Sequence, residues 1–377
     1  MRVLMVSKAN VTASYRTKLA YLNRTPGLTV GLVVPSRWGK LPFEPMKEDA
    51  SYPLYLWPIW FSGHNHLHRY PRIARVIREF RPDLIHLDEE HYSVVTWEIT
   101  RIALRLGIPT LFFTWQNIYK RYPWPFSAME RLVLTSARAA IAGNQEALDV
   151  LRKKGFTAPA RVIPQFGTDD EIFVPAEAAA TRSRLGLEGT VAIGYVGRLI
   201  AEKGLDDLMA AAAPLLAQDP SVRLVLVGSG PWRVKGEQTA SREGIAAQVV
   251  WVSWLASGEM PQLMNALDIV VLPSRTTASW KEQFGRVLTE AMATKTPVVG
   301  SSSGEIPGVI GDAGWIFPEG DIAELGRILE RLVHEPAERQ RWGERGYQRV
   351  RRHYTQAAVA EATVSLYREI LGAPSPS

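Results

Sequence analysis

Short apolar runs alternate along the chain with longer stretches in which apolar residues recur every three or four positions. The short runs predict strands in two series. The first comprises Arg2–Ser7, Thr29–Val34, Leu84–Asp88, Thr110–Trp115 and Ala139–Ala142. The second comprises Val191–Val196, Arg223–Val227, Val249–Val252, Ile269–Leu272 and Pro297–Gly300. The periodic stretches predict helices at Ala13–Asn23, Pro71–Phe80, Ser93–Leu106 and Gln145–Lys154, then at Leu205–Leu216, Phe284–Ala293 and Thr355–Leu371. Strand–helix alternation implies parallel sheets with right-handed crossovers. Two such series imply two Rossmann-like, doubly wound α/β domains facing a cleft. Each would bind its ligand at the carboxyl ends of its strands.

Pro and Gly punctuate Pro164-Gln165-Phe166-Gly167-Thr168-Asp169-Asp170, so a domain boundary is expected there. The division is 1–168 and 169–354, with the last helix in 355–372 capped by Thr355 and ended by Gly372. Pro374 to Ser377 reads as a disordered tail. A length of 377 residues favours two domains, and 46% hydrophobic residues suffices for two cores. No apolar run is long enough for a membrane span, and Met1 to Ser7 reads as a first strand rather than a signal segment. With no cysteine, the chain has neither disulfides nor thiolate metal sites, and a cytoplasmic location is expected.

Charge is uneven. Residues 1–168 carry 23 Lys+Arg against 12 Asp+Glu, a balance of +11, while the remainder stands at −5 within a total of +6. Arg69, Arg72, Arg75, Arg78 and Arg81 follow the Pro71 helix, and Trp57, Trp60 and Phe61 lie nearby. A solvated face is the plain reading, and peripheral contact with an anionic membrane is the sharper one. No common nucleic-acid reader motif is present, so no nucleic-acid partner is expected. His64, His66 and His68 alternate in a loop without nearby carboxylates, which favours hydrogen bonding over metal binding. The chain also lacks a P-loop, a complete dinucleotide fingerprint and a nucleophile elbow.

Candidate chemistry concentrates in the second series. Val191–Val196 runs into Gly197-Arg198-Leu199-Ile200-Ala201-Glu202-Lys203-Gly204, and a helix follows. Gly197 would permit close backbone approach, and Arg198 and Lys203 would offer fork and point-charge contacts to a diphosphate. Further on, Glu282 and Glu290 stand with seven residues between them around Phe284, Gly285 and Arg286. Glu282 falls in the loop before the predicted helix and Glu290 about two turns inside it. The amides of Phe284, Gly285 and Arg286 would then form an anion-binding helix terminus. Alone, the same segment also reads as a buried strand–helix unit with Glu282 as a cap and Glu290 in solvent.

Taken together these motifs resemble the family 4 retaining glycosyltransferases of the GT-B fold, group 1 type. The matching residues are Gly197-Arg198-Leu199, Glu202-Lys203-Gly204, Glu282 to Met292 and Pro297-Val298-Val299. The linker Gly167-Thr168-Asp169 with Phe173-Val174-Pro175 matches more loosely. One turn departs from the family pattern: Gly304-Glu305-Ile306-Pro307 exchanges Gly and Glu.

The resemblance implies transfer of a sugar from a nucleotide-diphospho-sugar to a hydroxyl acceptor, a glycan or lipid-linked glycan, as in cell-envelope polysaccharide synthesis. It implies retention of anomeric configuration and no cofactor or metal. Arg198 and Lys203 would hold the diphosphate, Glu282 the transferred sugar and Glu290 the ribose. Gly228, Pro231, Val252 and Ser253 would enclose the base. The N-terminal domain would be the acceptor side, and the last helix would return to it. Gln116 or Asn117 stands where many members carry a His and would hydrogen-bond the sugar. The usual Gly-Gly pair after the first strand is missing, leaving Lys8 or Arg16 to supply charge there. Glu89, Glu90 and His91 follow a strand end and read either as acceptor-facing or as a polar turn. Two alternatives remain: an epimerase or hydrolase of the same donor, and a non-catalytic sugar-nucleotide or polyanion binder.

Overall fold

The computed structural model describes residues 1–253, 255 and 257–372; the predicted tail Pro374–Ser377 lies outside them. The chain divides into two units, Met1–Asp169 with Gln356–Ser377, and Asp170–Thr355.

The first unit is built on seven parallel strands: β1 (Arg2–Val6), β2 (Thr29–Pro35), β3 (Leu54–Trp57), β4 (Leu84–Leu87), β5 (Thr110–Thr114), β6 (Ala139–Ala142) and β7 (Ala160–Val162). Their order is β3-β2-β1-β4-β5-β6-β7. Both faces are covered, which is why the strands read as unbroken apolar runs. Val3 and Met5 point to one face, where Leu19 and Leu22 of helix Ala13–Asn23 pack with Val359, Val364 and Tyr367 of helix Gln356–Leu371. Leu4 and Val6 point to the other, against Val76, Ile77 and Phe80 of helix Ile73–Phe80 and Val95, Ile99 and Ala103 of helix Val94–Leu106. The last helix of the chain is thus part of the first unit's core.

The second unit repeats the plan with β8 (Val191–Val196), β9 (Val222–Val227), β10 (Val249–Val252), β11 (Ile269–Leu272), β12 (Val298–Ser301) and β13 (Trp315–Phe317), in the order β10-β9-β8-β11-β12-β13. Helix Leu205–Gln218 buries Leu205, Leu208, Met209, Ala212 and Leu216 along one stripe.

Several elements differ from expectation. Helix Ile73–Phe80 starts after Pro71 because Arg72 is left-handed, at φ 57°. The helix predicted from Phe284 begins at Arg286, because Gly285 is left-handed at φ 76° and cannot join a right-handed turn. Glu290 therefore sits about one turn into the helix rather than two. Among the described residues no helix is long and apolar enough to cross a membrane.

Candidate functional site

In each sheet the strand order reverses between the first strand and the fourth. In α/β sheets the loops that leave the carboxyl ends at such a point border the ligand crevice. In the second unit these loops are Gly197–Gly204 after β8 and Pro273–Gly285 after β11. Gly204 brings them together. It is left-handed at φ 65° and caps helix Leu205–Gln218. A Cβ there would lie 1.8 Å from the Pro273 carbonyl oxygen, so the two backbones touch where any side chain would part them. Arg275 adds two ties, its N–H donating to Glu202 O at 2.8 Å and its guanidinium gripping Asp207 at 2.6 and 2.5 Å.

This approach sets Lys203 against Glu282. The Lys203 ammonium lies 2.5 Å from Glu282 Oε2, and Ser274 Oγ donates to the same oxygen at 2.8 Å. Lys203 also stands over the Trp280 ring at 4.8 Å. Glu282 is 8% exposed, and its backbone carbonyl accepts the Glu305 N–H at 3.1 Å. The exchanged Gly304-Glu305 turn therefore still holds the Glu282 loop. Arg198 is exposed at the rim, where its carbonyl accepts from Tyr195 Oη at 2.8 Å.

Glu290 takes a charge-assisted hydrogen bond from Arg286 at 2.9 Å. Burial pushes its carboxyl above the ordinary range, against the pull of Arg286. Phe284 does not belong to the helix terminus. It is buried and packs edge-on against Tyr354 at 5.6 Å, so neither its amide nor that of Gly285 is a first-turn amide.

Gly228 follows β9, and a Cβ there would sit 1.9 Å from the Gly197 carbonyl, so these two loops also touch through bare backbone. Its N–H donates to Val252 O at 2.8 Å. Pro231 caps helix Trp232–Arg242, and Ser253 Oγ accepts from Arg233 at 2.6 Å. Gly197, Arg198, Lys203, Gly228, Pro231, Val252, Ser253, Glu282, Gly285 and Arg286 thus all lie at the carboxyl edge of one sheet. Gln116 and Asn117 belong to the other unit, where their amides donate to Tyr122 Oη at 2.7 Å and Glu146 Oε2 at 3.3 Å. Ser274, Trp280 and the Arg275–Asp207 clamp were not singled out from the sequence. Ser274 could have been, as the first hydroxyl after the strand-ending Pro273.

The first unit repeats the device. Lys8, after β1, is ion-paired with Glu89, after β4, and His68 Nε2 is 3.2 Å from the same carboxylate. Burial pushes Glu89 up, but Lys8 and His68 outweigh it and hold its carboxyl down at about 2. Beside them Ser7 Oγ donates to Asp88 at 2.7 Å, Gln165 Nε2 donates to Asp88 at 3.1 Å, and the buried Lys18 donates to Gln165 O at 2.7 Å. Arg16 supplies no charge for a ligand: it is wholly buried, paired with Asp49 at 2.8 Å and bound to Asn10 O at 2.6 Å. The alternating histidines diverge, His68 towards Glu89 and His66 into an aromatic cluster with Tyr92 at 4.9 Å.

Comparison with known proteins follows this division. Residues 179–349 match the family model of glycosyl transferases group 1, and residues 14–165 match that of the glycosyl transferase 4-like domain. The chain is 28% identical over 247 residues to an alpha-D-kanosaminyltransferase of Streptomyces kanamyceticus, covering 64% of this chain and 63% of that protein. It is 31% identical over 261 residues to a D-inositol 3-phosphate glycosyltransferase of Thermobifida fusca, covering 64% and 57%. The chain thus spans less than two thirds of these curated relatives' own lengths. Among solved structures, Anabaena Alr3699/HepE in complex with UDP superposes with a TM-score of 0.77 at 19% identity, over 98% of this chain and 100% of that one. Two doubly wound units, the Lys203–Glu282 crevice and both family models agree: the chain belongs to the group 1 glycosyltransferases and has their GT-B fold.

Proposed function

We propose that the chain transfers a sugar from a nucleotide-diphospho-sugar to a hydroxyl of a glycan or lipid-linked acceptor, with retention of anomeric configuration. One observation carries this reading. An ammonium and a carboxylate, Lys203 and Glu282, are held together at a switch point, with Arg198 exposed on the same loop as Lys203 and helix Arg286–Ala293 starting just after Glu282. Such a crevice offers cations for a diphosphate and a carboxylate for sugar hydroxyls. Lys203 and Arg198 stabilise the departing diphosphate as its charge grows, Glu282 orients the transferred sugar, and Glu290 accepts from the ribose. These cations serve where a metal would otherwise neutralise the diphosphate, so no cofactor is required. The HepE structures with UDP and with UDP-glucose support a uridine nucleotide as the first donor to try. Release of nucleoside diphosphate from a donor panel, with and without acceptors, tests the reading. Release only with an acceptor, giving a product of unchanged anomeric configuration, supports transfer. Acceptor-independent release points to a hydrolase, and no release to a binder.

Glu290 gives a pH prediction. Burial disfavours its charged form, whereas ribose hydroxyls need the carboxylate as acceptor. Nucleotide affinity is expected to fall as pH drops through its raised pKa, beginning above the ordinary carboxylate range. Calorimetry with UDP from neutral to mildly acidic pH checks this: Glu290→Gln binds more weakly at neutral pH and loses that component of the pH dependence. An unchanged profile in the variant removes the ribose role.

The basic first unit supports a cytoplasmic enzyme touching an anionic membrane. Arg72, Arg75, Arg78 and Arg81 are exposed on or beside helix Ile73–Phe80, and Trp60 and Phe61 are 54% and 59% exposed. Arg69 is less available, since it pairs with Glu98 at 2.6 Å. Each engaged cation contributes on the order of 1 kcal/mol. Co-sedimentation with anionic vesicles at low salt, lost at high salt and in Arg75→Glu/Arg78→Glu, is the expected result. Equal partitioning to neutral and anionic vesicles excludes this contact.

A further inference from the structure

Three acidic residues follow β4 in the first unit, and the structure uses them differently. Asp88 is buried under Ser7 and Gln165, and Glu89 is consumed by Lys8 and His68. Glu90 is the one that reaches the surface, with 15% of its side chain exposed. It is nevertheless rigidly held: Oε2 accepts from Thr114 Oγ1 at 2.6 Å and Oε1 from the Trp115 N–H at 2.9 Å. Among the described residues no Lys or Arg pairs with it, and its nearest basic group is His91 Nδ1 at 4.0 Å. It lies in the loop after β4, on one side of this unit's own β1/β4 switch point, and is held against the end of β5.

Aromatic rings flank it, and Lys120, Arg121, Arg131, Lys153 and Lys154 line a cavity that Tyr122 shares. Tyr92 and Tyr122 lie 5.0 Å apart, with the His66 ring 4.9 and 5.7 Å from them. Gln116, 8% exposed, donates through Nε2 to Tyr122, and its buried Oε1 has no partner among the described residues. The cluster therefore offers a carboxylate, an unused amide oxygen and aromatic faces, all of which attract donors and positive charge. The two cations that reach the rings of this cluster are engaged or screened. Lys154, over the Tyr122 ring at 5.0 Å, is paired with Glu130 at 2.6 Å. Burial pulls the His66 pKa down, against the pull of Glu90, so the imidazole is neutral near pH 7. Lys120, whose field also reaches His66, is exposed and screened.

We propose that Glu90, with Gln116 and the Tyr92–Tyr122 faces, is a recognition site for a protonated amine. The acceptor is accordingly an amino sugar or aminocyclitol. Naming the ligand an acceptor rests on the transfer reading above. An ammonium supplies donors to the carboxylate and to Gln116 Oε1 and lies against the rings. A neutral polyol satisfies the oxygens but leaves the charge unpaired, and a phosphate is repelled.

Calorimetry on the full chain without donor tests this with two cyclitols of similar shape, 2-deoxystreptamine and myo-inositol, at pH 7. The wild type should bind the amine about tenfold more tightly or better, the worth of a charge-assisted over a neutral contact. Glu90→Gln should lose that preference while binding myo-inositol within about twofold of wild type. The wild type is also titrated with fully N-acetylated 2-deoxystreptamine, which should bind no better than myo-inositol; this arm does not depend on the variant's folding. Equal wild-type affinities, no binding of either ligand, or a preference that survives N-acetylation or Glu90→Gln overturns the proposal. UDP titration of the same samples is a separate readout. If UDP fails to bind while the amine preference holds, the transfer reading falls and the amine site stands.

Discussion

Lys203→Ala is expected to lower turnover at least ~100-fold, because it removes a charge-assisted contact that strengthens as the leaving diphosphate gains charge. It should also lower the melting temperature. Glu282 is buried and Lys203 is its cationic partner at 2.5 Å, so the single substitution strands a carboxylate. The double variant Lys203→Ala/Glu282→Gln separates the two effects. Without a stranded charge, its stability should recover most of the loss, while turnover stays at or below that of the single variant. If turnover returned with stability, Lys203 would be only a structural partner of Glu282. Thermal unfolding and donor turnover on the three proteins decide between these outcomes.

Gly204→Ala is the second large effect. Its Cβ would lie 1.8 Å from the Pro273 carbonyl, whereas real contacts of this kind stay beyond about 3 Å, so the two loops must separate by more than an ångström. Misplacement on that scale costs on the order of 100-fold in rate. The left-handed backbone adds a strain of about 1–2 kcal/mol. Gly186→Ala is the matched control: Gly186 has nearly the same φ, 66° against 65°, but nothing within 4 Å of its Cβ. Both variants should lose stability through strain, but only Gly204→Ala should lose turnover. Equal turnover in the two would show that loop contact does not set the Lys203–Glu282 geometry.

The parts legible in the sequence are those that local pattern dictates. β8 and β11 are buried on both faces, so Val191–Val196 and Ile269–Leu272 stand out as apolar runs. Helix Ala13–Asn23 matches its predicted bounds, and helix Val94–Leu106 follows the cap at Ser93. The parts missed depend on context. β3, β7 and β13 are edge strands, two of them only three residues long, too short for an apolar run to stand out. Helix Phe126–Ser136 follows Pro123 and Pro125, which read as loop. Gly285 looked like a first-turn residue, and only its backbone angle excludes it.

The site shows the same split. Glu282 and Lys203 were named from motifs 79 positions apart, but their direct contact is a tertiary fact set by Gly204 against Pro273. Arg16 failed as a ligand candidate because it is buried and paired with Asp49, in a short 3-10 helix, Lys47–Ser51, with no apolar period to announce it. Glu90 could not be told from Glu89 in sequence. The difference lies in which neighbour, Lys8 or Thr114, each carboxylate meets.

The central claim is that the crevice of the second unit holds a nucleoside diphosphate sugar. A crystal structure of the chain with UDP-glucose, or with whichever donor gives turnover, tests it most directly. The diphosphate oxygens are expected within hydrogen-bonding reach of Lys203 and Arg198, the sugar hydroxyls on Glu282 and the ribose on Glu290. A nucleotide bound elsewhere, or one whose diphosphate leaves the Lys203–Glu282 pair untouched, would contradict it.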